Sequence, residues 1–188
     1  MALLFMQKLI MVFSYRQMPF QGEIMDILPE ILNRRSIRKY KSTSVTDEQI
    51  SDLILAASLA PSGSNKQPWD FIVVKSKEMK EKICELDHNQ KWMLQAPVFI
   101  VCVGKSTYRK DDSMERTIRD SAIAITHILL QAQHMGLATC WTGWYEQDEM
   151  RNILGLTDKD YVTGIIIVGY ADENPNARPR RKATYTEI

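Results

Sequence analysis

From Met25 onward the apolar residues fall into two rhythms. Short unbroken runs, "FIVVK" (Phe71 to Lys75) and "VFIVCVG" (Val98 to Gly104), are rich in β-branched residues, the pattern of strands buried on both faces. "LATCWTG" and "YVTGIIIVGY" read as two further strands, the second long and buried. The other segments repeat with helical spacing. Asp26 to Asn33 predicts a short helix with Asp26 as N-cap and Ile27, Leu28, Ile31 and Leu32 on its apolar side. "TDEQISDLILAASLAPSG" opens with Thr46 and Gln49 in capping-box spacing, carries Ile50, Leu53, Ile54 and Ala57, and stops before Pro61. Lys77 to Leu86 predicts a polar, solvated helix, and "EQDEMRNILG" a short one closed by Gly155. The most hydrophobic helix, Asp120 to Gly136, is apolar on nearly every side. It needs cover all round, from a sheet or from a sheet and a second subunit.

Strands and helices alternate, but the helical crossovers are too few for a doubly wound parallel sheet. The expected fold is therefore α+β, a mixed sheet with helices on both faces. No repeat or linker interrupts residues 25–188, which read as one domain whose tail, "ADENPNARPRRKATYTEI", begins as loop and finishes as an edge strand. Residues 1–24 stand apart. "MALLFMQKLIMVFSY" is apolar, but Lys8 breaks the run where a signal sequence would be continuous, no A-x-A-like site follows, and it is shorter than the ~20 residues of a membrane span. An upstream start ahead of Met25, or a helix that packs on the domain or a partner, both account for it.

Composition narrows the chemistry. Lys and Arg number 24 against 23 Asp and Glu, so no global field draws this chain to nucleic acid or to an anionic membrane, and any anion site is local. The three cysteines, Cys84, Cys102 and Cys140, are scattered in apolar or helical contexts, as reduced thiols of a cytoplasmic protein would be. The sequence lacks GxxxxGK[ST], a GxGxxG after a strand, HExxH and GxSxG. His127 and His134 share a helical face without a carboxylate or Cys at ligand spacing, so no metal site is expected.

Four local features carry a signal. "RRSIR" sets Arg34, Arg35, Ser36 and Arg38 at a helix end, where the guanidinium forks suit a phosphate or a carbonyl edge, although a solvated basic helix end accounts for them too. In "APSGSNKQPW", Pro61 to Asn65 make a polar turn, and Gln67 is pressed into extended backbone by Pro68. Asn65 and Gln67 each carry a donor and an acceptor, as recognition of a heteroaromatic ring requires. In "GLATCWTGWY", Thr142 and Gly143 end a strand where the backbone can approach a ligand closely, with Trp141, Trp144 and Tyr145 as walls of a flat pocket or as core. "NARPRRK", with Arg178 and Arg180, is a second basic cluster that either stays solvated or converges with the first on one phosphate.

In this order the four features, with "DSAIAITHILLQAQHMGLATCWTG" and "IIIVGYADENPNARPRRK", resemble the FMN-dependent nitroreductase family over about Met25 to the end. The resemblance implies a three-layer α/β/α sandwich and an obligate homodimer with one FMN at each subunit interface. It also implies a C-terminal segment reaching over the partner. By position, Arg34, Arg35, Ser36 and Arg38 match the motif that contacts the FMN phosphate and ring edge. Ser62, Asn65 and Gln67 match a loop that approaches the flavin, partly from the other subunit. Trp141, Thr142 and Gly143 match the segment at the reactive N5 edge, where the Gly143 backbone N–H is the catalytic candidate. Arg178 and Arg180 match a late basic pair on the phosphate. Residues 1–24 depart from the family pattern. The implied activity is ping-pong hydride transfer from NADH or NADPH through FMN to nitroaromatics, quinones or similar small acceptors. A flavin-binding or flavin-processing protein not turned over by nicotinamide is the alternative. A basic-patch interaction protein without cofactor would leave Asn65 and Gln67 without a role. Short segments around "HNQKWMLQ" and "STYRKDDSME" imply an open site with a broad acceptor range.

Overall fold

The computed structural model describes residues 26–106, 113–181 and 183–188. Four strands, β1 (Trp69–Val74), β2 (Val98–Lys105), β3 (Ala138–Thr142) and β4 (Asp160–Gly169), form one sheet in the order β1-β2-β4-β3. All three pairings are antiparallel. The parallel component expected of a mixed sheet is confined, among the described residues, to one bridge between Ser36 and Thr139 on the outer edge of β3. The connection between β1 and β2 shows why. It leaves Val74 and re-enters beside it, with Val74 opposite Phe99, so the second strand runs back along the first.

Helices α1 (Pro29–Asn33), α2 (Asp47–Ser58), α3 (Lys77–Leu86), α4 (Ser113–His134) and α5 (Gln147–Leu154) complete the unit. Successive strand residues point to opposite faces, so β2 and β4 feed two cores at once. On one face Ile100, Cys102, Ile166 and Val168 pack with Leu53 and Ala57 of α2 and Ala124, Ile125 and Ile128 of α4. On the other, Phe99, Val101, Ile165 and Ile167 meet Ile83 of α3, Met93, and Met150 of α5. Each large side chain so buried contributes about 1.5–3 kcal/mol.

Local chemistry sets the helix ends. The Thr46/Gln49 capping box forms in both directions, and Gly155 closes α5 in the left-handed conformation at φ 67°. Two expectations shift. The first helix begins at Pro29, not Asp26, because proline favours the first helical position and forces Leu28 into extended backbone. The long helix starts at Ser113, well before Asp120, its polar first turns supported by the Glu115–Arg119 pair at 3.0 Å. Its outward stripe is not sealed. Ile123 joins Leu28, Ile31, Leu55 and Leu59 among the exposed apolar side chains, Leu59 at 73%. Beside them a groove of about 480 Å³ is lined by Leu28, Leu59, His127 and Leu130.

Residues Leu28–Asn174 make one compact unit, and the described residues of Pro175–Ile188 belong to a second. The described residues of 175–188 form no strand, so the expected edge strand is not found among them. The extension 1–24 lies outside the described residues, as does most of the "STYRKDDSME" segment. Among the described residues no helix is long and apolar enough to cross a membrane.

Gly164 of β4 makes room for the Trp141 indole, which lies flat across it: a Cβ there would stand 2.0 Å from Nε1. Replacing Gly164 by Ala should therefore push Trp141 off the sheet and cost about 1–3 kcal/mol. Urea denaturation with tryptophan emission checks both effects, and unchanged stability and emission would show that Trp141 is not held there.

Candidate functional site

The basic segment leaves α1 and runs along the outer edge of β3. Ile37 N–H donates to the Thr139 carbonyl at 3.0 Å, beside the parallel Ser36–Thr139 bridge. On its other side the Glu173 carboxylate accepts from the N–H groups of Arg38 and Lys39, and Lys39 pairs with Asp172 at 2.9 Å. This clamp brings three of the four opening residues around one buried sulfur. Burial pushes the Cys140 thiol up, opposed by the Arg38 charge, a hydrogen bond with Ser36 and the Arg34 charge. Arg35 instead turns back on its own helix end, donating from Nη1 to the carbonyls of Leu32 at 2.7 Å and Arg34 at 3.0 Å.

At the end of β3 the chain splits its side chains between the two faces. Trp141 sits opposite Ile166 and turns toward the α4 layer, whereas Thr142 sits opposite Ile165 and turns toward the α3 layer. Next comes Gly143, exposed and outside the left-handed region, where an added Cβ meets nothing within 4 Å. Neither backbone conformation nor packing asks for glycine here. Something outside the chain can therefore approach this backbone closely. Trp144 is 66% exposed and stacks on His88, ring centroids 3.9 Å apart. Tyr145 does not join that wall; its hydroxyl donates to the Val162 carbonyl at 3.1 Å, and burial, with a contribution from Asp87, pushes the phenol up.

The loop after α2 forms a 3₁₀ turn, Gly63–Asn65. Gln67 N–H donates to the Ser62 hydroxyl at 2.9 Å, and the Gln67 and Asn65 amides bond to each other at 3.3 Å. Gln67 is not extended, as Pro68 led one to expect. Its φ is 48°, and Ser64 and Asn65 share the left-handed region at 52° and 54°. Such backbone costs about 1–2 kcal/mol per residue, and the loop's own hydrogen bonds hold it.

The register puts this loop and Gly143 at the same end of the sheet, but β1 and β3 are its opposite edges. Three inter-strand steps separate them, about 14 Å. Within one chain, then, Arg34, Ser36, Arg38, Trp141, Thr142 and Gly143 come together, and Ser62, Asn65 and Gln67 form a separate cluster. Arg178 and Arg180 belong to the second unit and are exposed there.

Sequence reasoning set the segment around "HNQKWMLQ" at the open site but missed Asp87 and the contacts of a third group. Asp87, Gln90 and Trp92 follow α3 and reach the end of β3. The Thr142 hydroxyl donates to Asp87 Oδ2 and accepts from Gln90 Nε2 at 3.4 Å; Trp92 Nε1 donates to Gln90 at 3.1 Å, and its ring lies 5.7 Å from the Arg38 guanidinium. Only the Asn89 signal of a left-handed turn was available in the sequence. His127 and His134 bond instead to the Ala56 carbonyl at 3.0 Å and to Glu30 at 2.9 Å.

Three comparisons bear on this arrangement. The family model described as "Nitroreductase family" matches residues 31–90 and 84–170. A Methanothermobacter thermautotrophicus protein provisionally named NADH dehydrogenase/NAD(P)H nitroreductase is 37% identical over 163 residues, covering 82% of both chains. Among solved structures, an FMN-dependent nitroreductase from Clostridium difficile superimposes with a TM-score of 0.73 at 30% identity, covering 81% of this chain and 92% of that one. The NADPH:FMN oxidoreductase from Vibrio harveyi, complexed with NAD+, gives 0.75 at 26% identity, covering 85% and 77%.

The thiols allow a direct check on the geometry. Burial pushes Cys102 up to about 12 and raises Cys84 and Cys140 as well, so all three stay protonated and slow to react near pH 8. Iodoacetamide at that pH should label none of them in the folded protein and all three in denaturant, read by peptide mass; rapid labelling of folded Cys140 would contradict its burial behind Ser36.

Proposed function

The chain belongs to the nitroreductase family, and from that premise we propose that it is an FMN-dependent oxidoreductase that oxidises NADH or NADPH and reduces nitroaromatics, quinones or similar small acceptors. The observation that carries the reading is Gly143: a glycine that neither backbone nor packing requires, open to the outside, beside a local cluster of cations in a chain of net charge +1. When bound, FMN supplies the hydride chemistry at N5, taking two electrons from the nicotinamide and yielding them to an acceptor that follows it into the same site.

The residues present fit that group. Arg34, Ser36 and Arg38, with the part of the Arg35 fork not turned on Leu32, offer charge-assisted donors to a phosphate and a ring edge. Arg178 and Arg180 are the further phosphate ligands of this reading. The open Gly143 lets its backbone N–H face the flavin edge, with Thr142 and Trp141 holding it from the two faces of the sheet. No side chain need act as acid or base, since solvent supplies the product's proton.

Asn65, Gln67 and Ser62 would reach the ring from a second copy of the chain. Their place on the far edge of the sheet supports this, as does the exposed apolar face of Leu28, Ile31, Leu55, Leu59 and Ile123, which suits a homodimer interface. The outer edge of β1, unpaired among the described residues, offers backbone groups to a partner's C-terminal segment. The three unbridged cysteines support a cytoplasmic location.

Purified protein should show an oxidised-flavin spectrum, with FMN added if needed, that NADH or NADPH bleaches anaerobically and a quinone or nitroaromatic restores. Absence of flavin binding would sink the proposal. Gly143→Ala should leave stability within about 0.5 kcal/mol and weaken FMN binding about tenfold or more; wild-type affinity would remove Gly143 from the site. Leu55→Glu with Leu59→Glu should halve the mass measured by light scattering and release FMN, whereas an intact dimer would move the interface elsewhere.

A further inference from the structure

Asp87 is fully buried, and only one of its carboxylate oxygens is matched. Oδ2 accepts from the Thr142 hydroxyl, while Oδ1 has no hydrogen-bond partner among the described residues. A buried acceptor left unmade costs about 1–3 kcal/mol, and more when it carries charge. The layer on this face of the sheet, with Ile83, Ile165 and Met150, is apolar. Replacing both members of a buried polar pair by apolar groups of the same shape is often neutral or stabilising. Stability is thus a poor reason for the carboxylate to be there.

The chain goes to further expense to put it there. Asp87 ends α3 with its N–H on the Ile83 carbonyl at 2.9 Å, and the next two residues, His88 and Asn89, are both left-handed at φ 52° and 55°. That reversal brings Gln90 back onto the same hydroxyl that Asp87 holds. Thr142 therefore donates in one direction and accepts from another, both to a single loop, and its rotor is fixed. Gly143 is the next residue. The same loop continues to Trp92, whose ring faces Arg38.

We infer that Asp87 is a positioning residue of the site: acting through the Thr142 hydroxyl, its buried carboxylate fixes the Thr142–Gly143 backbone at the edge where hydride is exchanged. The inference rests on the reading of Gly143 as the flavin-edge residue. It assigns Asp87 no contact with the flavin or the substrates. Its effect falls on the geometry of the reacting edge and not on nicotinamide binding, so it separates kcat from KM.

A double-mutant cycle tests it, with Asp87→Asn, Thr142→Val and the pair, all as FMN-loaded protein. The readouts are the reduction potential of the bound flavin, kcat and KM for the preferred nicotinamide, and the melting temperature. Each single variant should lose about tenfold in kcat with KM within about twofold, and the pair should be no slower than the slower single variant. The potential should move in the same direction in both single variants and no further in the pair. Multiplying losses, an unchanged kcat with an unchanged potential, or a drop in melting temperature with kcat and potential intact would each overturn the inference. Should Asp87→Asn fail to fold, Gln90→Met replaces it in the cycle and must show the same split. If the wild type binds no FMN, the site reading fails and this inference with it; if it binds FMN and the cycle is flat, only the role of Asp87 fails.

Discussion

β2 and β4 are covered on both faces by apolar side chains, and that double burial constrains everything else in the domain. A strand so placed has no surface to give to a ligand, and its backbone is already paired on both sides. Chemistry is thereby expelled to the edges and ends of the sheet. The outer edge of β3 accepts the basic segment, and the end of β1 accepts the Ser62–Gln67 loop. The cysteines follow the same rule in reverse: buried in the interior, they are raised away from reactivity and become packing.

What the core expels, the loops hold under strain. Among the described residues the non-glycine left-handed positions are Ser64, Asn65, Gln67, His88 and Asn89, all within the two loops at the working end of the sheet. Each costs of order 1–2 kcal/mol in a molecule whose net stability is about 5–15 kcal/mol. Strain of that size persists only where surrounding bonds over-determine the backbone, as Ser62 does for Gln67 and as Thr142 does, through Asp87 and Gln90, for the second loop. Rigid edges follow, and rigid edges are what orienting two reactants requires.

The sequence made the layers legible because their signals are local. Unbroken apolar runs announced β2 and β4, and Thr46, Gln49 and Gly155 marked helix ends. Polar stretches were harder. The first turns of α4 carry no apolar face, so nothing distinguished them from loop, and Pro29 outweighed Asp26 by steric preference alone. The antiparallel sheet escaped the reading because crossover direction depends on where a connection returns, a tertiary fact. Of the candidate site, the motifs that carry Arg34, Ser36, Arg38, Thr142 and Gly143 could be picked out in the sequence, and the resemblance grouped them. The bonds of Arg35 to its own helix, the inward turn of Tyr145 and the grip of Asp87 on Thr142 were not legible, since each joins side chains whose meeting only the fold decides.

On the proposed reading the site is divided between two sheet edges, and that division constrains assembly. A two-fold operation that brings one copy's Ser62–Gln67 loop to the other's β3 edge must do the same in return, so two equal sites arise together or not at all. The apolar side chains of Leu28, Ile31, Leu55, Leu59 and Ile123 are exposed, and in the proposed assembly their burial decides whether either site is complete. Association and cofactor binding then become linked equilibria: whatever binds only the paired form also stabilises the pairing. A neutral chain can in this way hold an anion firmly, because the charge need not come from a global field when burial of an apolar face fixes the place of a few local cations.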